Sequence, residues 1–174
     1  MPRGLLDRGP ASLPAVALLA ALALAAVGVQ PSLIPAFYVA VVTPVLWATD
    51  VAQHRLPNRF VLPGYPVAAG GVLAQWVHDG QLPLAALVAG LAYLGVFLTM
   101  ALAGGMGMGD VKLAGVLGLS AGLVGAGPAI ATPVVAFLLG GVAAVVALSR
   151  GLGGGIPFGP YLLAGYWISL VLTP

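Results

Sequence analysis

Polar positions are so sparse along this chain that they punctuate a series of apolar runs, which cover residues 12–29, 32–49, 60–77, 82–103, 113–127, 128–148 and 157–173. Within the runs polar residues do not return at every second position, as the strands of a membrane barrel require. Lipid also excludes backbone whose hydrogen bonds are not made inside the segment, and a spanning helix needs about 20 apolar residues. The pattern therefore predicts an all-α protein, a polytopic membrane helical bundle of about seven transmembrane helices. The fifth run is short and glycine-rich. Connectors are brief: "QPS" at 30–32, "DVAQHRLPNR" at 50–59, "HDGQ" at 78–81, "GGMGMGD" at 104–110, a Gly127-Pro128 break and "RGLGGGI" at 150–156. None can hold a soluble domain.

Composition agrees with lipid as the main solvent: 61% of the 174 residues are hydrophobic and 6% are charged, well outside the range of ordinary soluble domains. Charge adds orientation. With seven crossings, the N-terminus and the second, fourth and sixth connectors share one side, and that side holds Arg3, Arg8, Arg55, Arg59, Lys112 and Arg150, every basic residue of the chain. By the positive-inside rule this side is the cytoplasm. The basic residues are scattered singly and form no nucleic-acid patch, although the net charge is +2.

A single integral-membrane unit over 1–174 is expected, with 1–31 as an additional N-terminal transmembrane segment and 32–174 as the core. The alternative for residues 1–29 is a cleaved signal peptide, because two arginines precede an apolar, Ala-rich run. Six helices then remain in the same orientation. The short link into the next run favours a helical hairpin.

Chemistry has few candidates. The absence of cysteine excludes a thiolate zinc site or a cysteine nucleophile, and two histidines without a carboxylate cluster make a poor metal site. Asp7 and Asp79 read as solvated loop charges. Asp50 and Asp110 lie at cytoplasmic ends of apolar runs, where ionisable groups default to functional candidates. Asp110 can cap a helix starting near Val111, but Asp50 ends one, at the unfavourable end of the helix dipole. If two such carboxylates meet they hold one proton between them, as aspartic proteolysis requires: one takes a proton from water while the other donates to the scissile carbonyl. Spacing alone does not bring residues 50 and 110 into contact. Gly104, Gly105, Gly107 and Gly109 predict non-helical chain before Asp110, able to meet an extended peptide; the bland alternative is a flexible turn. Pro57 predicts a surface turn after Asp50 before the chain re-enters near Phe60. His54 and Arg55 read as interfacial loop residues. Pro157 to Tyr161 reads as the proline-assisted start of the last helix.

Three stretches in this order, "DVAQHRLPN" at 50–58, "GMGDVKL" at 107–113 and "PFGPY" at 157–161, resemble the type IV prepilin peptidases. These belong to the GxGD class of membrane aspartic proteases, which also includes the preflagellin peptidases and presenilin. The resemblance runs from about residue 32 to the end. It implies that Asp50 and Asp110 are the catalytic pair, that Gly107, Gly109 and Lys112 bind substrate or shape the loop, and that no metal or cofactor is needed. The implied substrate is a prepilin or pseudopilin precursor, cut at its basic leader on the cytoplasmic face of the cell membrane. Larger relatives add a cysteine-bearing cytoplasmic portion and methylate the new amine; without cysteines this chain is expected to be a short, peptidase-only form. Two readings from other classes stand beside it: a proton- or cation-coupled transporter, favoured by aspartates deep in mid-span, and a non-catalytic pilus-assembly subunit, which needs no aspartate pair.

Overall fold

The computed structural model describes residues 9–151 and 156–173. Arg3, Asp7 and Arg8, part of the 150–156 connector, and the choice between a retained and a cleaved N-terminal segment lie partly or wholly outside those residues. Eight helices follow one another: α1 (Gly9–Val27), α2 (Leu33–Gln53), α3 (Asn58–Val61), α4 (Gly64–Asp79), α5 (Leu84–Leu102), α6 (Met108–Val124), α7 (Ala126–Ser149) and α8 (Gly159–Leu172). Among the described residues there is no strand.

The seven predicted runs map onto these helices in order, with α3 and α4 as two parts of the third. Pro63 fixes the break between them: it cannot donate a backbone hydrogen bond and stands at the N-cap of α4. By length and composition, Leu33–Gln53, Asn58–Asp79, Leu84–Leu102 and Ala126–Ser149 are each long and apolar enough to cross a membrane. Their outer faces carry large exposed hydrophobics such as Leu73, Leu91, Val142 and Leu148. An aqueous protein would bury such side chains; here they face lipid.

The core is organised around α6. From Val111 to Leu123 only Lys112 and Leu119 escape burial, as befits a helix that is apolar on every side. Its glycines form a seam against α5: a Cβ on Gly118 would come within 2.7 Å of the Ala89 carbonyl oxygen, and one on Gly122 within 2.6 Å of the Ala86 Cα. Without side chains there, the two backbones touch. Small residues serve this purpose in membranes because lipid offers no hydrophobic drive for helices to associate.

Polar side chains tie α8 to three neighbours. Ser120 and Tyr166 hydroxyls meet at 2.7 Å, Thr132 and Ser169 at 2.7 Å, and the Trp167 indole N–H donates to Thr43 at 3.0 Å. Bonds of this kind contribute only about 0.6 kcal/mol each on average, yet together they fix the register of α8. At its start Phe158 lies among Phe97, Phe137 and Tyr161, with ring centroids 5.3–6.5 Å away. Aromatic rings thus pack the end of the bundle where α8 begins, which is the end that carries both candidate aspartates.

Candidate active site

Asp50 occupies the last turn of α2, which runs one turn beyond the predicted end and stops at His54, whose left-handed φ of 51° closes the helix. The carboxyl is buried, with 4% of the residue exposed. Capping could not account for an acid at a helix C-terminus; a neighbouring helix does. The Gly159 N–H, in the first turn of α8, donates to Asp50 Oδ2 at 2.9 Å. The favourable end of one helix dipole thus offsets the unfavourable end of another. A side chain here would crowd the bond, since a Cβ at position 159 would fall 2.8 Å from that oxygen.

Asp110 lies in the first turn of α6, ahead of the apolar stretch that begins at Leu113. This corrects the sequence expectation. The chain turns irregularly only through residues 103–107, where Gly104 adopts φ +80°; the helix begins at Met108, with extended Gly107 as its N-cap, so Gly109 is helical. Glycine is a poor helix former, by about 1 kcal/mol relative to alanine. Tertiary packing reverses the preference, because a Cβ on Gly109 would lie 3.0 Å from the Leu56 Cβ. Asp110 Oδ1 is buried without a hydrogen-bond partner. Burial pushes this carboxyl up to about 7, and the neighbouring Asp50 charge adds to the rise, while the Gly107 backbone opposes it.

Both carboxyl groups line one cavity of about 430 Å³ at the end of the bundle, together with Gln53, His54, Arg55, Leu56, Pro57, Asn58, Gly107, Met108 and Gly109. His54 and Arg55, expected to be bystanders in the loop, are exposed and form part of its wall. Leu56 is the buried exception in an exposed loop, at 8%. It packs between Gly109 and the place a Cβ on Gly159 would take, 3.2 Å from its Cδ2. Leu56 thus joins the α6 start to the α8 start beneath the cavity.

Of the other residues expected in the site, Gly107 and Gly109 line the cavity and Lys112 does not. Lys112 instead ties the two loops: its ammonium donates to Asn58 Oδ1 at 3.2 Å, and its carbonyl accepts from the Tyr65 hydroxyl at 2.9 Å. It shapes the loop. The residue missed was Gly159. The sequence showed an aspartate at a helix C-terminus in want of a donor, but not which of the distant residues supplies it.

A cavity holding two carboxyls, one hydrogen-bonded and one not, can activate a water and protonate a carbonyl oxygen. Residues 36–149 match the family model described as the type IV leader peptidase family. That stretch includes both aspartates and ends ahead of α8. Neither the curated proteins nor the solved structures contain a match.

Proposed function

The chain belongs to the type IV leader peptidase family, and from that premise we propose that it is an aspartic endopeptidase in which Asp50 and Asp110 cut the basic leader from prepilin- or pseudopilin-like precursors. The observation that carries this reading is the single cavity lined by both carboxyls. One ionised carboxylate takes a proton from water as the water oxygen attacks the scissile carbonyl carbon. The protonated partner donates to the carbonyl oxygen. The tetrahedral intermediate then breaks its C–N bond as the first carboxyl passes its new proton to the departing amine and the second carboxylate takes back the hydroxyl proton while the carbonyl re-forms, which regenerates the pair with one proton. No step needs an added group.

The distribution of basic residues supports a cytoplasmic placement of the cavity. The cavity opens at the end of the bundle that carries Arg55, Arg59 and Lys112, and Arg150 closes α7 on the predicted same side. The positive-inside rule makes this the cytoplasmic face of the cell membrane. A substrate can leave its apolar helix in lipid and present the polar leader junction at this depth. The aspartates sit in end turns of α2 and α6, where a peptide can reach them.

The test is cleavage of a prepilin-type precursor by membranes containing the protein, beside Asp50→Asn and Asp110→Asn. Each variant should lose activity by about a thousandfold, within the range that general acid–base groups supply. Cleavage persisting in both variants would end the dyad reading.

A further inference from the structure

Resting on that dyad, we infer that Gly159 is a positioning residue that makes the two aspartates unequal: its N–H holds Asp50 as the ionised carboxylate that activates water, and Asp110 is the protonated partner that donates to the scissile carbonyl. The two acids have unequal hydrogen-bonding environments. Asp50 Oδ2 accepts an N–H at 2.9 Å from the first turn of a fourteen-residue helix. An N–H can only donate, so the bond favours the charged form. Asp110 Oδ1 is buried with no donor directed at it. A protonated carboxyl needs no donor and carries its own O–H, ready for an incoming carbonyl.

The surrounding charges support this division. Asp50 is met by Gly159 from α8, by His54 one turn along α2, by Arg55 across the cavity and by Asp110 from α6. Asp110 is met by Asp50, by the Gly107 backbone at its own N-cap, and by the same His54 and Arg55 on the cavity wall. His54 and Arg55 are exposed on the wall of the cavity that both acids line. The start of α6 and the Gly107 backbone favour a charge on Asp110, but its Oδ1 is left without a partner, whereas Asp50 Oδ2 accepts a direct N–H at 2.9 Å. The donor is also held firmly, because Phe158 is locked among Phe97, Phe137 and Tyr161.

The experiment is the pH–rate profile of precursor cleavage by the full chain in membranes, with Gly159 intact, as Gly159→Ala, and with glycolic acid in place of Gly159. Alanine pushes a Cβ at Asp50. Glycolic acid deletes only the N–H and adds no bulk, so it decides the matter if the alanine protein does not fold. Loss of the donor should move the acid limb upward by about one pH unit, a tenfold loss of rate on that limb, with the alkaline limb and KM unchanged. An acid limb that stays in place, or an alkaline limb that moves instead, overturns the role of Gly159. Failure of the dyad itself is distinguishable, since it appears as cleavage surviving Asp50→Asn and Asp110→Asn.

Discussion

In the proposed dyad, Asp110, whose Oδ1 is buried without a partner, would set the upper pH limit of cleavage. Asp110 keeps its proton up to about 7, because burial and the Asp50 charge both oppose ionisation. Below that pH the pair can hold its single proton; above it both acids ionise and the donor is lost. Cleavage rates should therefore fall as pH rises through about 7. The same shift bears on folding. The unfolded chain releases the Asp110 proton in the usual carboxylate range while the folded chain keeps it, so stability should decline as pH rises from that range to about 7. Thermal unfolding of Asp110→Asn over the same range should show a flatter dependence.

The neighbouring residues give a second test. Gly109→Ala should push Leu56 and its loop by a few tenths of an ångström and cost about tenfold in cleavage rate, since reacting groups tolerate little displacement. Circular dichroism should show the helix retained. Leu56→Ala should destabilise the protein by about 2–5 kcal/mol in a denaturation series, as buried leucine truncations do. Both aspartates were legible in the sequence because lipid leaves so few acids that any acid at the end of an apolar run stands out. Gly159 was not legible: its bond to Asp50 spans 109 positions, and a proline-led helix start already explained its motif.

At the scale of helices, the boundaries that sequence missed were those set by tertiary contact. Glycines before Asp110 predicted irregular chain on propensity alone, and Leu56 packed against Gly109 extended α6 instead. The seven runs themselves were legible because the backbone in lipid has no alternative to internal hydrogen bonding. The α5–α6 seam was only implied by glycine content, since spacing does not say which backbone each glycine meets. It carries its own prediction. Gly122→Val places a branched side chain against the Ala85 and Ala86 backbone, which cannot yield as a flexible side chain can. Melting in detergent should show a loss of about 1–3 kcal/mol or more. Gly141, with nothing near its Cβ position, should accept alanine without loss.

For the whole molecule the testable property is orientation. The natural chain has no cysteine, so single-cysteine variants report sidedness without background. Arg150→Cys should react with an impermeant maleimide only from the cytoplasmic side, and His78→Cys only from the opposite side. The reverse pattern would place the aspartate cavity outside the cell. The expectation comes from charge: with seven crossings every basic residue sorts to one side.

The bond from Gly159 to Asp50 also has a consequence in time. A ribosome makes the helices in chain order, so both aspartates are synthesised before Gly159. Until α8 docks, the Asp50 carboxyl has no donor and the floor under Leu56 is open. Arrival of α8 supplies the N–H, the aromatic anchor and the floor in one event. Biogenesis thus assembles the cutting centre late, when the enzyme has stopped being a nascent membrane chain itself.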